Sequence, residues 1–376
     1  EQKVAQLFLV SVDGTDANLS ATAYDIPPGG YMLFSRNTVD GAESIIALTG
    51  DTQVAYAEKN EIPPFFAIDH EGGEVNRLRN IATPLPAAQT TATYVSTDLA
   101  SQLYAYSAKQ IAALGIQVNL APVVESAHSG NNDFLSLRSF GDAEKVEIYA
   151  NIFIDAFTDN SVYCVLKHFP GNANDDPHIT LPILSGEKEK IYSLYIEPFK
   201  NLLADNGLLM SHVIVPAFDD TNPACLSPVI IKDIVQDELH FSGLIFSDDM
   251  LMGALSENSP QTAMKSALEA GIHVLMISHP AYWNFMPELV NEAIENPDFA
   301  LIIDNCVTKI LHTKIDMGLF SIEEDDMGNP VLVGKDTSEL YNPEEQLKDF
   351  LNAKEEGDAV YYESIDRAIH ASSALR

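Results

Sequence analysis

The chain has 376 residues, 46% of them hydrophobic, and carries 55 acidic against 21 basic side chains for a net charge of −34. That length supports a sizeable core in one large domain or two smaller ones. The charge argues against nucleic acid or an anionic membrane as partner, because phosphate recognition needs clustered Lys and Arg, and no apolar run approaches the ~20 residues of a membrane-spanning helix.

Eight short apolar segments follow one another: Val4–Val10, Tyr31–Phe34, Phe65–Ile68, Val118–Val123, Val162–His168, Leu208–Val215, Leu244–Ser247 and Val274–Ser278. Helical periodicity lies between most of them. After Asp40, the residues Ile45, Leu48, Thr52 and Ala55 share a face. Between Glu187 and Leu203 a second apolar stripe runs until Gly207, and Pro198 is expected to kink that helix. Ser227-Pro228 is a helix start, an N-cap followed by Pro at the first helical position. Repeated strand–helix alternation predicts a (β/α)8 TIM-type barrel over residues 1–320. An open doubly wound sheet is the alternative, but no GxGxxG or GxxxxGK[ST] loop follows a strand. Residues 321–376 read as a short acidic extension, partly helical around Asp358–Ser372. Cys164, Cys225 and Cys306 form no CxxC pair and read as buried thiols, not as a disulfide framework or zinc site.

The polar residues that follow each strand carry the chemistry. Strand three runs into Asp69-His70-Glu71-Gly72-Gly73, and strand four into Glu125 and later Arg138. Strand five presents Lys167 and His168, then a Pro-Gly break and a polar loop with Asp175, Asp176 and His178. Strand six ends in Ser211-His212 and strand seven in Ser247-Asp248-Asp249. Barrel enzymes build their sites at these C-terminal strand ends. Carboxylates and imidazoles there suit acid–base or nucleophilic work. His70, His168, His212, Asp69 and Asp248 are also zinc-type ligands, but the paired His of an early strand, common in barrel metallohydrolases, is missing.

Taken together, FFAIDHEGGEVNRLR, VNLAPVVES, LRSFG, LKHFPGN…DPH…LP, LLMSHVIVPAFD, LSPVIIKDIVQDELHFSGLIFSDDM and ALEAGIHVLMIS resemble glycoside hydrolase family 3, in particular its β-N-acetylhexosaminidase branch. The resemblance implies a retaining hydrolase acting through a covalent glycosyl-enzyme, with Asp248 as nucleophile. It implies an unusual acid/base, His178 paired with Asp176. It places Asp69, Arg138, Lys167 and His168 on the sugar and His212 beside it. The implied substrate is a small carbohydrate, a terminal N-acetylglucosaminide of cell-wall or chitin type, with no metal and no organic cofactor. The chain departs from the family pattern at Gly171-Asn172-Ala173, where Gly-His-Gly is usual, and in a slightly shorter loop stiffened by Pro177. Glu125 stands for an Asp, Glu74 for an Arg and His273 for an acid, and the last two bear on substrate choice. A β-glucosidase-like specificity, a phosphorolytic reaction and a catalytically weak sugar-binding protein are the alternatives. The missing Met at position 1 and the opening EQKVAQLFLV, which resembles members with sequence upstream, suggest an extracytoplasmic location.

Overall fold

The computed structural model describes residues 1–14, 26–59, 61–203, 206–325, 327–328, 330–334 and 341–374. Eight strands form one parallel sheet: β1 (Phe8–Ser11), β2 (Gly30–Leu33), β3 (Phe65–Ile68), β4 (Val118–Asn119), β5 (Tyr163–Phe169), β6 (Gly207–Met210), β7 (Ile245–Ser247) and β8 (Leu275–Ile277). Their spatial order is β7-β6-β5-β4-β3-β2-β1-β8. The two ends meet: Phe246 bridges Val274 in parallel, and the Ser247 N–H donates to Val274 O at 2.9 Å. The sheet is therefore a closed barrel and not the open doubly wound alternative. Closure removes the unpaired edges that an open sheet leaves.

Strand limits differ locally from the apolar runs. Val4 belongs to a helical turn, Gln2–Ala5, so β1 begins only at Phe8. The Leu208–Val215 run splits, because Ile214–Val215 leaves the barrel to pair antiparallel with Asp219–Pro223. Strands buried on both faces read as continuous apolar sequence, so periodicity alone does not mark their ends.

Helices α1 (Ala42–Glu58), α2 (Thr97–Ala113) and α3 (Ala143–Thr158) pack outside β2 to β5. Their starts follow local chemistry. Ser96 and Asp142 accept the Leu99 and Lys145 N–H groups, at 3.4 and 3.0 Å. The Ser227 signal also holds, with its hydroxyl oxygen accepting the Ile230 N–H at 3.2 Å. The 187–203 helix is broken by a widened π turn at Tyr192–Ile196, just ahead of Glu197–Lys200. Pro198 cannot donate to the preceding turn, and the wider winding accommodates the missing bond.

After β8 come α4 (Met286–Glu295) and α5 (Pro297–Asp316). The extension then forms a hairpin, Phe320–Glu324 with Pro330–Gly334, and a helix α6 that starts at Pro343 and runs to Ala374. This helix begins well before Asp358. Asn342 caps it by accepting the Glu345 N–H at 3.3 Å, with Pro343 in the first position. Phe350, Ala353 and Val360 of α6 are buried, and Gln346 Nε2 donates to Ala113 O at 3.2 Å at the end of α2.

Candidate active site

The site grows from side chains at the ends of β3, β4 and β5. Asp69 and Glu71 lie two residues apart just past β3, and both carboxylates reach one cation. Lys167 Nζ lies 2.8 Å from Asp69 Oδ1 and 2.6 Å from Glu71 Oε1. Arg138 grips Glu71 with both arms of its fork, Nε to Oε2 at 2.8 Å and Nη2 to Oε1 at 2.9 Å. Arg77 donates to the other Asp69 oxygen, Oδ2, at 3.2 Å. Burial opposes the charge on Asp69, but Lys167 and Arg77 overcome it and hold the carboxyl below its usual range. Burial likewise disfavours an ionised Glu71, yet Arg138 and Lys167 pull it far below an ordinary glutamate. Lys167 itself is raised, since Asp69 and Glu71 outweigh its desolvation.

His168 continues the network. Its Nδ1 lies 2.7 Å from Glu125 Oε1, and its Nε2 lies 3.4 Å from an Arg138 Nη. With Nδ1–H donating to Glu125, Nε2 is the acceptor of the ring. Asn172 donates to the same carboxylate through its backbone N–H, at 2.7 Å, and its Nδ2, at 2.9 Å.

Asp248 and Asp249 follow β7 and have different surroundings. Asp249 Oδ1 accepts the N–H groups of Leu251 and Ser278, at 3.1 and 3.2 Å, and Oδ2 accepts the Ser278 hydroxyl. It ties the β7 and β8 loops together. Asp248 accepts only the Asp249 N–H among the described residues, at 2.8 Å to Oδ1. His212 lies beneath the pair. Its Nε2 bonds Asp249 O at 2.9 Å and its Nδ1 lies 3.0 Å from Cys225 Sγ. The carbonyl requires Nε2–H, so the Cys225 thiol is the donor to Nδ1. The three cysteines are buried and free.

Asp176 and His178 sit on the β5 loop. Asp176 Oδ1 accepts both the His178 backbone N–H, at 2.9 Å, and its Nδ1–H, at 2.7 Å. The two bonds, backbone first, hold the Asp176 carboxyl below its usual range. The His178 side chain is 69% exposed. The loop is pinned along its length. Asn174 Nδ2 donates to Ser129 O at 3.0 Å, and Pro177 O accepts the Ala254 N–H at 3.0 Å, on the segment that follows Asp248.

Asp69, Arg138, Lys167 and His168 thus form one connected cluster. His212 and Asp248 are neighbours through Asp249, while Asp176 and His178 form a separate pair on the rim. Four members of the arrangement have no role assigned from the sequence: Glu71 and Glu125, placed there only among the polar residues after strands three and four, with Arg77 and Asn172. Alternation from Asp69 to Glu71 was the readable signal for one of them. Arg77 meets Asp69 eight residues away, whereas Glu125 and Asn172 meet only because segments more than 40 residues apart are brought together. His273 lies away from this end. It accepts the Ile245 N–H through Nδ1 at 2.9 Å ahead of β8, and burial pushes it down to about 3. It therefore joins β7 to β8 at the opposite end of the barrel from the Asp69–Lys167 cluster. His70 also turns inward, with Nε2 2.9 Å from Ser107 Oγ, and burial lowers it to about 4. Among the described residues, no group of three or more His, Cys, Asp or Glu is placed to hold a metal ion.

The glycosyl hydrolase family 3 N-terminal domain matches residues 1–312. A β-hexosaminidase of Glaesserella parasuis serovar 5 is 32% identical over 255 residues, 66% of this chain and 73% of that protein. Among solved structures, a family 3 β-N-acetylglucosaminidase from a Paenibacillus species superposes with a TM-score of 0.77 at 26% identity, covering 93% of this chain and 68% of the other. A β-N-acetylhexosaminidase from Beutenbergia cavernae does so with a TM-score of 0.74 at 25% identity, covering 84% and 98%. With a closed barrel, a polar cluster at its C-terminal rim and these matches, the chain belongs to glycosyl hydrolase family 3.

Proposed function

We propose that the chain is a retaining β-N-acetylglucosaminidase that releases terminal N-acetylglucosamine from cell-wall or chitin-type fragments. The observation that carries this reading is the Asp176–His178 pair. The Nδ1–H of His178 is committed to Asp176, which leaves Nε2 to exchange protons from an exposed loop anchored to the segment behind Asp248. A carboxylate on an imidazole fixes its tautomer and raises its basicity.

In the first step, an Asp248 oxygen bonds to the anomeric carbon as the glycosidic C–O bond breaks, and His178 gives its Nε2 proton to the leaving oxygen. In the second, water attacks the same carbon, His178 takes the water proton, and the bond to Asp248 breaks. Asp69 and Lys167 hold sugar hydroxyls, and Arg138 and His168 the region of the N-acetyl group. Assignment of the nucleophile to Asp248 is supported by the bonds that occupy Asp249. Recognition through buried, mutually fixed charges favours hydroxyl binding over anion capture, since each cation of the cluster already faces a carboxylate.

Hydrolysis of an aryl N-acetyl-β-glucosaminide tests the reading. Asp248→Asn is expected to lower kcat by about 10⁴-fold, and His178→Ala by about 10²- to 10⁴-fold. Full activity of His178→Ala would remove that residue as proton donor. An inert parent that still binds N-acetylglucosamine would favour the sugar-binding alternative.

A further inference from the structure

We propose that Glu125 is a positioning residue, the single buried carboxylate that couples the sugar-facing His168 to the loop carrying Asp176 and His178. The inference rests on the function proposed above and extends it to a residue with no assigned role.

One carboxylate gathers four donors. Oε1 accepts His168 Nδ1–H at 2.7 Å, the His168 backbone N–H at 3.2 Å and Asn172 Nδ2–H at 2.9 Å. Oε2 accepts the Asn172 backbone N–H at 2.7 Å. A third segment joins through the main chain, where Ser139 Oγ donates to Glu125 O at 2.6 Å, next to Arg138. Glu125 is 2% exposed. A carboxylate so placed is stable only if its lone pairs are filled, and here all its partners lie in the β5 strand end and its loop. Burial alone would raise its carboxyl, but the His168 and Asn172 bonds hold it below the ordinary range.

The geometry has two consequences. Glu125 sets the His168 tautomer, which keeps Nε2 as acceptor toward the site. It also fixes the first turn of the loop, so the two halves of the site share one anchor. Glutamate and asparagine act as a matched pair here. Aspartate at 125 would be one methylene shorter, which draws its carboxylate back from the donors that Glu125 meets at 2.7 to 3.2 Å. Glutamine replaces one acceptor oxygen by a donor that faces donors.

The test uses the full chain with an aryl N-acetyl-β-glucosaminide and hydrogen–deuterium exchange of the loop, residues 172–184. Glu125→Gln is expected to lower kcat/KM about 100-fold through misplacement of His168, and to speed exchange across the loop. In a His168→Ala background the same change is expected to add almost nothing, because both act through one ring. Asn172→Ala spares the His168 bonds, so it is expected to loosen the loop with a smaller loss of kcat/KM. It also serves if Glu125→Gln fails to fold. Unaltered kcat/KM and loop exchange in Glu125→Gln would overturn the proposal, as would losses that multiply in the His168→Ala background. If the parent hydrolyses no aryl glycoside, the proposed function fails. Exchange then decides the tether by itself: faster in the variants supports it, unchanged overturns it.

Discussion

The rim and the floor of the barrel each bury a lysine, and the two are treated in opposite ways. Lys167 is 3% exposed at the rim and Lys314 is 1% exposed near the N-terminal strand ends. Lys167 faces two carboxylates, so it stays charged and is raised. Lys314 donates to Gln6 Oε1 and Pro63 O, both at 2.8 Å, and lies over the Phe65 ring. With no carboxylate among those partners, burial pushes it down to about 7. Equal burial thus has unequal outcomes, and the neighbours decide which. Charge is kept where carboxylates surround the lysine, and is made costly where only neutral groups do.

Removing each lysine is the most direct way to break that contrast. Lys167→Met leaves Asp69 and Glu71 buried beside each other with one cation fewer. A loss of about 3–5 kcal/mol is expected, read from urea unfolding, together with loss of aryl glycoside hydrolysis. A variant that is as stable as the parent would mean that Arg77 and Arg138 alone balance the cluster.

Lys314→Met tests the floor through pH. The folded pKa of about 7 lies below the unfolded value of about 10.4. Between those values the unfolded chain binds more protons, so the Lys314 contribution makes stability rise with pH over that window. Below about pH 7 both states are protonated and the penalty of burying the charge is felt in full. The variant is expected to flatten this slope in urea midpoints measured from about pH 6.5 to about pH 9.5. An unchanged slope would show that Lys314 does not titrate there.

His212 provides the smallest and finest comparison, a rim base held by neutral partners. Cys225→Ser keeps a donor toward His212 Nδ1 and is expected to leave activity near that of the parent. Cys225→Val leaves that nitrogen unsatisfied and is expected to cost about 1–3 kcal/mol of stability. Equal behaviour of the two variants in thermal unfolding would remove the thiol–imidazole bond from the account.

These effects divide along a line that also separates what was readable in the chain. Each barrel strand lies within or beside one of the eight apolar runs, because parallel strands buried on both faces need continuous apolar sequence. The Ser227-Pro228 start was legible for the same local reason, and Asn342-Pro343 carries an equal signal that the apolar pattern of residues 358–372 obscured. Asp69, Lys167, His168 and Asp248 could be placed at strand ends by position alone. Their pairings could not. Lys167 reaches Asp69 across 98 residues of sequence and Arg138 reaches Glu71 across 67.

By itself, then, the sequence determined the strand–helix alternation, the caps, and which polar residues stand at the ends of strands. All of these follow from side-chain periodicity and from hydrogen bonds within a few residues. Only the tertiary structure decided that the sheet closes through β7 and β8, and that His273 belongs to that closure and not to the site. It alone joined Glu125 to His168 and Asn172, and set Asp249 rather than Asp248 into the loop bonds. Each of those outcomes depends on which distant segments are brought within hydrogen-bond reach, and on burial that makes an unpaired charge or donor too costly to leave.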